Sequence, residues 1–243
     1  MYAFRSSHGP VDLAFTDRHG GVSAVPYAEL NLALDTDDDP AARAENHRLV
    51  LASFGPGDEL VDLRQVHGAV VHDADDSGSS GGGEGRPRAD GLVTRRSGVT
   101  LMVRVADCVP VLLADPAAGL IGAAHSGRAG LVAGVVPATV ARLRELGAGD
   151  LTAWVGPRVC GACYEVPAAL QDEVAAAVPE SRATTSWGTP SLDIGAGVRA
   201  QLEALDVAVV DVAVCTRESA DLYSYRRDGA ASGRFAGLIR RRP

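Results

Sequence analysis

Apolar residues along this chain gather in short unbroken runs. "VTLMVRVADC" (99–108), "PVLLAD" (110–115), "GLIGAA" (119–124), "LTAWVG" (151–156) and "VAVVDVAVCT" (207–216) are aliphatic and scarcely alternate with polar positions. Such runs predict strands, several of them covered on both faces, and hence a core that is largely sheet. Helical spacing takes over between them, predicting helices over Leu131 to Leu146, where Gly147 is a natural stop, over Ala168 to Val178 and over Val198 to Leu205. Pro137 should kink the first of these or mark its true start. The pattern is that of an α/β or α+β protein. One segment has no apolar pattern: "DADDSGSSGGGEGRPRAD" (73–90) is rich in Gly and Ser and predicts a flexible loop over about residues 75–88. The sheet-like "RQVHGAVV" before it and "DGLVT" after it are each too short to stand alone, so the loop interrupts one domain and does not separate two.

Composition narrows the function. With 243 residues, 46% of them hydrophobic, the chain can bury a substantial core, and a single domain spanning residues 1–243 is expected. The 23 basic residues are outnumbered by 31 acidic ones, which is not the footprint of a nucleic-acid binder; a small-molecule substrate fits better. No run approaches the ~20 apolar residues needed to cross a bilayer, and the first residues lack a long apolar segment, so no membrane partner is expected and a cytoplasmic location is. Four cysteines (Cys108, Cys160, Cys163, Cys215) are too few for a disulfide framework in a chain of this size and predict reduced thiols.

Three polar residues interrupt or end apolar runs: His67 in "LRQVHGAVV", Cys108 in "VADCVPVLL" and His125 in "AAHSGRAG". Placing such groups there is costly unless they are paired or ligated. Two imidazoles and a thiolate suit zinc, and three protein ligands leave a fourth position open, as catalytic sites do. Their wide separation in sequence leaves the alternative that each is a hydrogen-bonded or apolar core residue. Cys160 and Cys163 form a C-x-x-C pair, but no second pair accompanies it, which predicts a structural role. "HSGRAG" lacks the patterns of nucleotide-phosphate loops, although a Gly-rich entry to a helix at Gly127 to Gly130 offers N–H donors to an anion.

Taken in order, "TDRHGGVS" (16–23), "LNLAL" (30–34), "RQVHG", "ADGLVT", "ADCVPVLLAD", "AHSGRAG", "VGPRVCGACYEV" and "LYSYRRDGAASGRFAGLI" resemble the YfiH-like family, also called the laccase-domain or multicopper polyphenol oxidase family. The resemblance runs from about Ala14 to Ile239. It implies a single compact α/β fold with a central mixed β core flanked by helices, and one zinc bound by His67, Cys108 and His125. It also implies phosphorolysis of adenosine, inosine, guanosine and methylthioadenosine, with deamination of adenosine. Other family labels are peptidoglycan editing, here a zinc amidohydrolase acting on a precursor, and copper-dependent polyphenol oxidation.

Chemistry weighs these labels. A multicopper cluster needs many imidazoles, and the chain has six His and no H-x-H, so Cu2+ is a less suitable occupant of the three-ligand site than Zn2+. Zinc can bring the pKa of water from 15.7 to roughly 7, which suits attack on C6 of adenine. Phosphorolysis needs an anion site, for which the candidates are Arg64, Arg128 and Arg226, with Arg227 beside the last. Asp107 is a candidate for orienting a ligand imidazole or moving a proton, and Asn31 for contacting substrate, with a turn or cap as its alternative. One departure bears on the substrate. Where the family has H-A-G-W-R-G, this chain has Arg128 in place of Trp and Ala129 in place of Arg.

Overall fold

The computed structural model describes residues 1–75 and 85–243; residues 76–84, most of the Gly/Ser-rich loop expected at 75–88, lie outside them. Two mixed sheets make the centre. One contains β1 (Tyr2–His8), β2 (Val11–Thr16), β3 (Glu59–Asp62), β6 (Val99–Val105) and β13 (Phe235–Arg241), in the order β1-β2-β13-β6-β3. The other contains β4 (Val71–Asp73), β5 (Gly91–Thr94), β7 (Val109–Asp115), β8 (Leu120–Ser126), β9 (Thr152–Val155) and β12 (Ala208–Asp211), in the order β12-β9-β7-β8-β5-β4. A hairpin of β10 (Arg182–Thr184) and β11 (Pro190–Leu192) stands apart. Only β3 with β6, β4 with β5 and β12 with β9 pair in parallel among the two main sheets.

The absence of alternation in the apolar runs is explained by the layers. Side chains on one face of each sheet meet in a shared core, where Leu13, Phe15, Leu101 and Val103 of the first pack with Leu112, Ile121 and Trp154 of the second. The outer face of the first sheet packs Met102 and Leu238 on Val50 and Phe54 of α1 (Pro40–Phe54). The outer face of the second carries Val109, Val111 and Leu113 against α2 (Arg128–Ala133), α3 (Val135–Glu145), α4 (Ala168–Ala177) and α5 (Ile194–Glu203). Four layers result, so every residue of β6, β7 and β8 is buried.

Several elements differ from their expected bounds. The helix expected over Leu131 to Leu146 is two helices, broken at Gly134, whose φ of 79° is left-handed. Pro137 sits in the first turn of α3, where its missing N–H has no partner to lose. The helix expected over Val198 to Leu205 begins earlier, at Ile194, because the Asp193 carboxylate caps it by accepting from Ala196 N. Helix α1 was not legible from apolar spacing; its start is fixed by Asp39, which accepts from Ala41 N, and by Pro40 in the first turn. Only Ala208–Asp211 of "VAVVDVAVCT" is strand. His67, expected within a strand, lies instead in the loop between β3 and β4 with φ 60°.

A buried ion pair lies where β3 meets β6. Asp62 accepts from the Arg104 guanidinium and from Arg86 Nε at 2.5 Å. Burial pushes the Asp62 carboxyl up, but these two guanidinium groups outweigh it and hold it below its usual range. A carboxyl lowered on folding adds stability that is complete above the unfolded value of about 3.9 and is lost as pH falls through the lower folded value. The expected outcome is that Asp62→Asn melts below the parent at neutral pH and that the gap in Tm narrows as pH is lowered beneath this range. A gap that stays constant with pH would contradict it.

Candidate functional site

β6 ends in the first sheet and β7 begins in the second, so Ala106, Asp107 and Cys108 make the step between layers. Asp107 takes a φ of 87° to do so. The step places Cys108 beside His125, the penultimate residue of β8, since Val109 pairs with Ser126 and Pro110 with His125. The loop carrying His67 folds over both. Ligand atoms of His67, Cys108 and His125 all lie within 4.8 Å of one another, and Cys108 Sγ is 3.9 Å from His67 Nε2. The two imidazole rings meet edge-on, with centroids 4.8 Å apart. His125 is buried, Cys108 half-buried and His67 exposed.

The residue that assembles this cluster is Asp90, which was not singled out from sequence. It is fully buried just before β5. Its carboxylate accepts from three successive backbone N–H groups, those of Val66 (3.1 Å), His67 (3.0 Å) and Gly68 (2.7 Å). It also accepts from His125 Nδ1 at 2.8 Å. The first three contacts hold the left-handed turn at His67, and the fourth fixes the His125 tautomer so that Nε2 is the nitrogen left to bind. Burial pushes the Asp90 carboxyl up, yet His125 and the backbone donors hold it below its usual range. One carboxylate therefore positions two candidate ligands.

Electrostatics complete the donor set. Burial pushes the Cys108 thiol up, but His125 and His67 outweigh it and bring its pKa down to about 6. Burial likewise depresses His125, while the Cys108 thiolate and Asp90 raise it to about 9. The thiolate is the form that a metal takes. Space is provided at Gly127, where a Cβ would lie 2.9 Å from Cys108 Sγ and 2.9 Å from His67 Cδ2. Convergent donors, an oriented imidazole and a glycine that leaves them room fit a metal ion.

The cluster faces a cleft of about 1320 Å³. Although the chain is acidic overall, among the described residues seven arginines and two carboxylates, Asp35 and Asp107, line it. Most of these arginines are engaged. Arg104 and Arg86 are bound to Asp62; Arg226 donates to Glu165 O at 2.8 Å and lies over the Tyr164 ring; Arg234 donates to Ser232 O at 2.9 Å and lies over Tyr225. Among the described residues, the side chains of Arg64, Arg88 and Arg128 have no hydrogen-bond or ion-pair partner. Of the two positions that depart from the family turn, Arg128 lines the cleft and Ala129 does not.

Other residues singled out from sequence have different surroundings. Asp107 lines the cleft, but its carboxylate accepts from Thr216 Oγ1 and from Arg226 N, each at 2.6 Å; the contact that orients an imidazole is made by Asp90. Asn31 is fully buried outside the cleft lining. Its amide donates to Asp38 at 2.8 Å and accepts from Ala33 N at 3.0 Å and Arg234 N at 2.9 Å, which is the turn role. Arg227 donates to the carbonyls of Thr216, Ser219 and Leu222 and is a clamp within its own loop. Arg88, Arg234 and Asp90 were not singled out as site residues; Asp90 lies within "ADGLVT" and Arg234 within the last of the quoted motifs, but nothing local marked either side chain.

A sequence profile of the multi-copper polyphenol oxidoreductase laccase family matches residues 12–242. The chain belongs to that family. A purine nucleoside phosphorylase of Streptomyces coelicolor is 51% identical over 98% of this chain and 99% of its own. Among solved structures, a Neisseria meningitidis protein assigned to DUF152 superposes with TM-score 0.87 at 31% identity, covering 99% of both chains. The YfiH protein of Bacillus licheniformis superposes with TM-score 0.85 at 27% identity, covering 95% of this chain and 92% of its own. Despite the family's name, the remaining four imidazoles are dispersed: His8 packs on Trp154, His19 pairs with Asp221, His47 contacts Leu32 O, and His72 lies on β4. Among the described residues, the only group of three or more candidate ligands that contains imidazole is His67, Cys108 and His125. No helix among them is long and apolar enough to cross a membrane.

Proposed function

We propose that this protein is a zinc-dependent purine nucleoside phosphorylase that also deaminates adenosine. The observation that carries the reading is the convergence of His67, Cys108 and His125 beside three unpartnered guanidinium groups in one cleft. Its relatives' shared designation as purine nucleoside phosphorylases supports the substrate class. His67, Cys108 and His125 would hold zinc, which supplies Lewis-acid polarisation when bound. Arg64, Arg88 and Arg128 supply fixed positive charge for phosphate, and the cleft holds it near the nucleoside. Tyr164 and Tyr225 contribute aromatic surface for a purine. In phosphorolysis the bond from ribose C1′ to the base nitrogen breaks, a phosphate oxygen bonds to C1′, and the base leaves with a proton. Asp107, a carboxylate of the cleft wall that accepts from Thr216 Oγ1 and Arg226 N, would hold such a proton.

Arg128→Ala is expected to raise the KM for phosphate about tenfold or more, the loss of one charge-assisted hydrogen bond of about 1.5–3 kcal/mol, with zinc content unchanged. Steady-state rates at varied phosphate check this, and an unchanged KM would remove Arg128 from the anion site. The function itself is tested by incubating the protein with adenosine and phosphate and resolving the products by chromatography. Adenine, inosine and hypoxanthine are expected. No product at high enzyme concentration would overturn the reading and favour the amidohydrolase.

A further inference from the structure

We infer that the protein has a second metal site, a thiolate-rich zinc site formed by Cys160, Cys163, Cys215 and Glu218, which braces the wall of the cleft. The C-x-x-C pair expected to be merely structural is completed by residues more than fifty positions later, and this convergence is invisible in sequence. Two turns face each other. In the first, Cys163 N and Tyr164 N both donate to Cys160 O, at 2.9 and 3.0 Å, which brings the two thiols to one side. In the second, Ser219 N donates to Cys215 O at 3.0 Å, so Cys215 and Glu218 share the same three-residue spacing. The turns are joined because Arg158 N donates to Val214 O and Thr216 N to Arg158 O, both at 3.0 Å.

One ligand atom from each of the four residues lies within 4.8 Å of all the others. Cys163 is buried, Cys160 and Cys215 are half-buried, and Glu218 is exposed, with Cys163 Sγ 3.5 Å from Glu218 Oε1. All three thiols are free. Tetrahedral zinc with Zn–S bonds of about 2.3 Å holds its sulfurs about 3.8 Å apart, so the cluster needs to contract by about an ångström or less. Thiolate-rich donors with one carboxylate select zinc over harder cations. The other charged groups around the adjoining hollow of about 260 Å³ are already committed. Arg158 is held by Asp211 at 2.7 and 3.0 Å, and Asp193 caps α5. Binding would release the three thiol protons to solvent.

The consequence for the cleft follows from what adjoins each turn. Thr216, next to Cys215, donates to the Asp107 carboxylate, and Val159, next to Cys160, donates its N–H to Asp107 O at 3.1 Å. A metal joining the two turns would therefore fix Asp107 from both sides, a positioning role distinct from that of the His67, Cys108 and His125 cluster.

The test uses the full chain, reduced and stripped with a chelator, then exposed to zinc chloride and a short pulse of iodoacetamide, with alkylation mapped by peptide mass spectrometry. Zinc is expected to slow alkylation of Cys160, Cys163 and Cys215 together by about tenfold or more. Equal labelling of these three with and without zinc would overturn the inference, whereas Cys108 reports separately on the cleft. As a second measurement, a Cys108→Ala chain is expected to retain about one zinc, and a Cys108→Ala chain also carrying Cys163→Ser is expected to retain none. A disulfide among the three thiols in protein purified with zinc would also overturn it.

Discussion

Asp90→Asn is expected to weaken zinc binding in the cleft about 10- to 100-fold, although Asp90 is not itself a ligand. The carboxylate serves the N–H groups of Val66, His67 and Gly68 together with His125 Nδ1. Asparagine keeps the shape but replaces one acceptor oxygen with an amino group facing those donors. A buried donor left without a partner costs about 1–3 kcal/mol. The left-handed turn at His67 then loses its anchor, and His125 loses the charge that fixes its ring. Competition with a chromogenic chelator measures the affinity, and thermal unfolding measures the stability, which should fall in the same variant. An unchanged zinc affinity would show that His67 and His125 are positioned by something other than Asp90.

Cys108→Ala is expected to remove zinc from the cleft and to lower purine release at least about 100-fold, since Lewis-acid stabilisation is worth several kcal/mol. Cys108 supplies the sulfur of the set, with its Sγ 3.9 Å from His67 Nε2. Without it two neutral donors remain, one of them on an exposed loop. The fold should survive, because Cys108 is half-buried at a step between strands and makes no backbone contact that alanine cannot make. Circular dichroism checks the fold, and metal analysis together with chromatography of the products checks the rest. Undiminished activity in a folded variant would separate the cleft's chemistry from its metal.

What could be read from sequence depended on range. The buried strands β6, β7 and β8 were legible because both faces are covered and the residues within them are almost all apolar. Against that background His67, Cys108 and His125 each stood out as a polar interruption of an apolar run, and the order of the motifs joined them into one set. Asp90 did not stand out, because its importance lies in contacts to a turn more than twenty residues earlier and to His125 thirty-five later. A carboxylate beside a Gly/Ser-rich loop gives no local sign of burial. Helix α1 escaped for a related reason: only Asn46, Val50 and Phe54 are buried along its fifteen residues, too sparse a stripe to read. Arg88 and Arg234 reach the cleft from well-separated parts of the chain, a closeness that the sheets create and spacing does not encode.

The most direct measurement of the central claim is hypoxanthine release from inosine at varied phosphate, made on the same protein as purified, after chelator stripping and after zinc is restored. Release that saturates with phosphate, disappears on stripping and returns with zinc is the predicted result. Release that is independent of phosphate, or undiminished by complete removal of zinc, would contradict it.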